Sequence, residues 1–229
     1  MYGLKEAPRA WYEKLTEHLL KLNYKHFNID DATLFVKKVD KSIVYLVVYV
    51  DDLLITGKND DYITSIKREL KKVFDMTDLG LLHYYLGIEV SQNPKFIFIS
   101  QQKYIRELLC KFGMQDCNFV STPMEQNLKI SSNEGNTFED ATKYRKLVGS
   151  LIYLTTTRPD ITFAVGILSR FMHQPCEGHW TTTKRVLKYL RGTQNFGLKY
   201  SKVPDFHLNA YSDSDFDGDK EQGCLLQIT

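Results

Sequence analysis

Trp11, Leu15, Leu19 and Leu22 recur every three or four positions with charged residues between them. That period predicts an amphipathic helix from about Pro8 to Leu22. Proline suits the first turn, where its missing N–H leaves no hydrogen bond unmade. The period then shortens. "ATLFVKKV" (32–39) is β-prone, "DKS" (40–42) is a turn, and "IVYLVVYV" (43–50) is apolar at both alternating sets of positions. A central buried strand reads this way. "LLITG" (53–57) returns as another strand. Helical spacing resumes at Ile63, Ile66, Leu70 and Val73, behind a cap at Asn59 or Asp60. "LHYYLGIEV" (82–90) and "KFIFIS" (95–100) then predict a second hairpin across "SQNP".

From Gln101 the pattern turns helical. Tyr104, Leu108 and Phe112 mark a helix ending at Gly113. Residues 121–140 are polar and rich in Ser, Asn and Glu, a linker composition. Helices are expected near 141–156 and 159–172, divided around "TRPD", and from Trp180 to Arg191. The chain ends in "FHLNAYSDSDF", strand-like and then acidic. The element order over the first hundred residues predicts an α+β fold, a mixed sheet with helices on one face.

A length of 229 residues suits one or two domains, and 43% hydrophobic with 25% charged residues is ordinary for a soluble globular protein. The net charge of +2 selects no partner. The longest apolar run is residues 43–50, far short of the roughly 20 needed to span a bilayer. The N-terminus lacks the apolar core of a signal peptide. Four irregularly spaced cysteines, Cys110, Cys117, Cys176 and Cys224, read as free thiols in a reducing compartment. An intracellular, unsecreted chain is expected, with no membrane partner.

Asp51 and Asp52 break this picture, because they stand between two strand-like apolar runs. Adjacent carboxylates repel and resist burial. On a hairpin tip they suit Mg²⁺, a hard ion held by one or two carboxylates together with substrate phosphates. Two such ions clamp the attacking and leaving oxygens of a phosphoryl transfer. A plain solvated turn is the other reading, since Asp is common in turns. The flanking strands supply no turn glycine to favour it.

"YVDD" between apolar strands resembles the catalytic box of reverse transcriptases. "MYGLKEAPRAWYEKL" (1–15), "YLVVYVDDLLITG" (45–57), "DLGLLHYYLGIEV" (78–90), "LVGSLIYLTTTRPDITFAVGILSRFM" (147–172) and "HWTTTKRVLKYLRGT" (179–193) all resemble the copia-type retrotransposon Pol polyprotein, in the family's order. The resemblance covers about residues 1–219. It implies an RNA-directed DNA polymerase that uses two Mg²⁺ ions, an RNA template, a DNA primer and deoxynucleotides. It divides the chain into a partial polymerase palm (1–100), a mostly helical thumb and connection (101–207) and a truncated RNase H start (208–229). Asp51 and Asp52 become catalytic metal ligands. Tyr49 packs near the primer end or template. Tyr2, Gly3, Lys5 and Pro8 match the segment lining the incoming-nucleotide pocket, with Glu6 where the family generally has Gln. Leu86 and Gly87 match the hairpin that grips the primer, although an ordinary β-bulge also explains a Gly there. Asp213 matches the first RNase H metal ligand. The family implies cytoplasmic virus-like particles or the nucleus as the location.

The resemblance also implies gaps. The family's third carboxylate lies on a strand upstream of the "YGLK" segment, so the palm is expected to be N-terminally incomplete and the chain inactive alone. A non-catalytic nucleic-acid-binding remnant and a functionless pseudogene product are the alternatives. Lys184, Lys188 and Arg191 form a basic stripe at helical spacing that suits a phosphate backbone or a merely solvated face. "DSDFDGD" imitates a calcium loop, but its twelfth position is Cys224 where a bidentate Glu belongs. His173, Cys176 and His179 have metal-ligand chemistry but lack a fourth zinc ligand. His179 is expected to help begin its helix.

Overall fold

A computed structural model describes residues 7–28, 32–39, 42–125, 128 and 136–202. They fall into two compact units divided after Gly80.

The first unit opens with α1 (Ala7–Lys21), which buries Leu15 and Leu19. Asn23 stops the helix. It takes the left-handed conformation (φ 63°), and the next amide, of Tyr24, turns back to the Leu19 carbonyl at 3.0 Å. Asn tolerates this conformation better than most residues. Four strands follow: β1 (Lys25–His26), β2 (Leu34–Val39), β3 (Ser42–Tyr49) and β4 (Asp52–Gly57). They form one antiparallel sheet in the order β1-β2-β3-β4. α2 (Asp60–Lys71) is capped by Asn59, whose side chain accepts from the Asp61 and Tyr62 amides at 2.8 and 3.4 Å. Ile66 and Leu70 of α2 join Leu15 and Leu19 of α1 against Phe35, Val44, Leu46 and Val48 of the sheet. Both helices therefore cover one face, as the element order requires. Each such aliphatic side chain contributes about 1.5–3 kcal/mol by leaving water.

Two details depart from the sequence pattern. β3 is interior in the sheet, yet only its Val44, Leu46 and Val48 positions are buried. The opposite face, with Leu34, Val36, Tyr45, Val47 and Leu54, stays half-buried. Past the end of α2, Val73 is exposed and Phe74 enters the core in its place.

The second unit holds another antiparallel sheet, ordered β5-β6-β7-β8: β5 (Tyr84–Tyr85), β6 (Ile88–Gln92), β7 (Phe96–Ser100) and β8 (Gly197–Ser201). The stretch expected as one strand over 82–90 reverses on itself at Leu86-Gly87. Among the described residues, four helices build the second core: α3 (Gln102–Lys111), α4 (Ala141–Leu154), α5 (Thr162–Ser169) and α6 (Glu177–Gly192), with a 3-10 turn over Pro159–Ile161. Gly113 closes α3 at φ 66°. Asp140 caps α4 through the Lys143 amide at 2.8 Å. The Tyr144 hydroxyl of α4 donates to the Leu168 carbonyl of α5 at 2.7 Å, and burial pushes its pKa up to about 12. His179 helps begin α6: its Nδ1 accepts from the Cys176 amide at 3.0 Å.

Candidate functional site

The β3–β4 hairpin carries the acid pair. Its register pairs Tyr49 with Asp52, so Val50 and Asp51 form a two-residue turn. Val50 has φ 53°. That region is unfavourable for a β-branched residue and ordinarily falls to glycine. Backbone strain of this kind persists where the surroundings enforce it, and it clusters at functional sites. Tyr49 and Asp52 are cross-strand partners and lie on the same side of the sheet, the half-buried one. Asp51, Asp52 and Val50 are exposed, and so is Tyr49 at 49%.

Among the described residues, no hydrogen bond or ion pair joins the Asp51 and Asp52 carboxylates to a neighbour. Two like charges thus share a tight turn, with no cation among the described residues to offset them. Their oxygen donors are the class that Mg²⁺ takes, and their exposure leaves room for phosphate and water as further ligands. Among the described residues no third His, Cys, Asp or Glu completes a metal-binding group.

The turn conformation gives a prediction. Relief of the left-handed strain is worth about 1–2 kcal/mol, against a glycine entropy cost of about 0.5–1 kcal/mol. Val50→Gly is therefore expected to leave stability equal or slightly higher. Urea unfolding checks it, and a loss above about 1 kcal/mol would contradict the strained turn.

Leu86 and Gly87 form the second tight turn. Tyr85 pairs with Ile88, and both turn residues have positive φ, 49° and 82°. This is a two-residue hairpin turn of the mirror-image kind, without a bulge. Tyr153 of α4 donates its hydroxyl to the Leu86 carbonyl, and a side chain at Gly87 would collide with that phenol. Tyr104 packs edge-on against Tyr153 with ring centroids 5.0 Å apart. Sequence reading missed Tyr153, because its partner lies 67 residues away.

It also missed Arg158, which is 1% exposed inside "TRPD". Arg158 donates to both Asp160 oxygens at 2.9 and 2.7 Å, and to the Thr193 carbonyl and hydroxyl at 2.9 and 2.7 Å. Tyr189 adds a hydrogen bond to Asp160 at 2.8 Å.

The expected basic stripe on α6 divides. Lys188 is exposed, Arg191 donates to the Gln115 carbonyl at 2.5 Å, and Lys184 lies over the Trp180 ring at 5.8 Å. Arg185 pairs instead with Glu125 at 3.1 Å. His173, Cys176 and His179 form no metal group among the described residues. Tyr2, Gly3, Lys5, Glu6 and Asp213 lie outside the described residues, with the calcium-like loop, and Pro8 is described only as backbone of α1.

Residues 1–126 match the family described as reverse transcriptase (RNA-dependent DNA polymerase). Over 221 residues the chain is 45% identical to the retrovirus-related Pol polyprotein from transposon RE1 of Arabidopsis thaliana, covering 96% of this chain and 15% of that protein. It is 37% identical over 230 residues to the corresponding polyprotein from transposon TNT 1-94 of Nicotiana tabacum, covering 96% of this chain and 17% of that one. An uncharacterized mitochondrial protein of Arabidopsis thaliana, AtMg00810, is 40% identical over 175 residues, 76% of this chain and 72% of that protein. The chain thus spans a small part of the length of the polyproteins it matches. No solved structure matches it.

Proposed function

Because the chain belongs to the reverse transcriptase (RNA-dependent DNA polymerase) family of copia-type Pol polyproteins, we propose that it is the palm-to-thumb part of an RNA-directed DNA polymerase whose metal-binding box is Asp51 and Asp52. The observation that carries this reading is the strained, exposed turn that presents two carboxylates with no cationic partner among the described residues. The reaction is attack of a primer 3′-hydroxyl on the α-phosphate of a deoxynucleotide, with pyrophosphate leaving. Asp51 and Asp52 would hold Mg²⁺, which when bound would supply charge stabilisation to the reacting phosphate. The hairpin holds Asp51 and Asp52 in fixed register. Tyr49 offers an exposed ring on the Asp52 side of the sheet, toward template or primer. The Leu86-Gly87 turn, braced by Tyr153, contacts the primer end. Tyr2, Gly3, Lys5 and Pro8 line the nucleotide pocket, by the family resemblance. No helix among the described residues is long and apolar enough to cross a membrane.

The family's site uses a third carboxylate, and none joins the pair among the described residues. The chain by itself is therefore expected to bind divalent metal weakly and to extend no primer. Two measurements check this. Mn²⁺ titration followed by electron paramagnetic resonance should show weak binding that Asp51→Asn/Asp52→Asn removes. A primed RNA template with Mg²⁺ and deoxynucleotides should yield no extension. Extension abolished by Asp51→Asn would overturn the inactivity, and Mn²⁺ binding indifferent to the double substitution would overturn the metal assignment.

A further inference from the structure

Lys111, at the end of α3, and Lys143 and Lys146, on one side of α4, open onto a single cleft of about 250 Å³ with Phe112, Asp140 and Thr142. All three lysines are exposed. Lys143 also reaches over the Trp180 ring of α6, 5.4 Å from its centroid, and Lys184 lies over the same ring. Phe138 stacks on Trp180 at 4.8 Å and steadies that ring. Lys143 and Lys184 thus share one aromatic ring, while Lys111 and Lys146 line the cleft beside Lys143. Among the described residues, none of the four is paired with a carboxylate. The acid at the rim, Asp140, is already engaged as the cap of α4. Gathered like charges repel, and a polyanion reverses the sign of that interaction.

We propose that this α3–α4–α6 cleft is a nucleic-acid backbone site, in which Lys111, Lys143 and Lys146 contact the phosphodiesters of the primer–template duplex. This rests on the reading of the chain as part of a polymerase. Phosphodiesters of a polymer fit better than a free phosphate ion. A small-anion pocket offers buried, pre-oriented donors, whereas these lysines are long, exposed and spread along the cleft. Such groups bind by releasing counterions from a nucleic acid, each contact adding to the salt dependence. The α6 stripe is the weaker candidate, because Arg191 is engaged with Gln115.

The test is fluorescence anisotropy of the full chain with a labelled RNA–DNA primer–template duplex, between 50 and 200 mM NaCl. Lys111→Gln/Lys143→Gln/Lys146→Gln is expected to flatten the log K against log salt slope by about 2–3 and to weaken binding at 100 mM by at least tenfold. Circular dichroism confirms that the variant is folded, and Lys146→Gln alone should flatten the slope by about 1. If the wild type binds and both variants keep its slope, the cleft is not the site, while the polymerase reading stands. If the wild type binds no duplex, both fall. If inorganic phosphate competes at millimolar concentration and constant ionic strength, the cleft is a small-anion site and the proposal is overturned.

Discussion

Arg158→Met is expected to lower the stability of the second unit by about 3 kcal/mol, the low end for breaking a buried ion pair, because the Asp160 side chain is one-third exposed. Its guanidinium is almost wholly buried and serves four acceptors: both oxygens of Asp160, and the carbonyl and hydroxyl of Thr193. Methionine fills much of the volume but withdraws the guanidinium from all four, leaving Asp160 with only the Tyr189 hydroxyl and Thr193 without its partner. The rings of Tyr189 and Phe196, with centroids 5.6 and 5.5 Å from the guanidinium carbon, lose a cation as well. Urea unfolding followed by Trp180 fluorescence, in a Trp11→Phe background, reads the second unit alone. A loss below 1 kcal/mol would mean that Asp160 and Thr193 are satisfied by water and that the network is incidental.

The same network fixes a pH signature. Burial raises the Asp160 pKa, but hydrogen bonds from Arg158 and Tyr189, with the adjacent guanidinium charge, outweigh it and hold the carboxyl below its ordinary value. A folded pKa below the unfolded one contributes stability above the unfolded value, which is lost as pH falls through the folded value. The gap between wild type and Arg158→Met should therefore be full at neutral pH and narrow on acidification below about pH 4.

Gly197→Ala is expected to cost about 3 kcal/mol, at the upper end of overpacking penalties, because the obstacle is backbone. A Cβ there would fall on the Ile99 carbonyl oxygen and stand 2.9 Å from the Phe98 ring and 3.1 Å from the Ile99 carbonyl carbon. Gly197 pairs with Ser100 at one end of the β7–β8 ladder, so relief requires pushing β8 away. Hydrogen exchange at the β7 and β8 amides should accelerate selectively. Gly192→Ala is the control. The atoms nearest its Cβ, at 3.0–3.2 Å, all belong to the side chain of Phe119, which is 73% exposed and sits outside any helix or strand, so a shift of a few tenths of an ångström relieves the contact. Equal losses at both positions would show that β8 tolerates displacement.

The sequence displays what local pattern encodes. α1 and α2 are legible because Leu15, Leu19, Ile66 and Leu70 keep helical spacing, and Asn59 because a cap acts on its own next turn. The acid pair is legible because charge interrupts two apolar runs. The Leu86-Gly87 reversal is hidden, since "YYLGIEV" is β-prone throughout and leucine rarely takes positive φ. Arg158 is hidden because isolated arginines are mostly exposed, and its partner Thr193 lies 35 residues on. The lysine cleft is hidden because its members come from separate helices, each of which alone reads as an ordinary charged surface.

The β7–β8 ladder joins two segments that leave the ribosome far apart in time. "FIFIS" (96–100) is made early, while its edge partner, β8, follows only after residues 101–196. At roughly 5–20 residues per second, the ribosome leaves that strand edge uncovered for about 5–20 s. A short, uncharged, β-branched and aromatic edge is a template for pairing with other chains. The nascent chain therefore passes through a window in which aggregation competes with folding. Chains stalled or cut before Gly197 should be markedly less soluble than chains that reach Ser201.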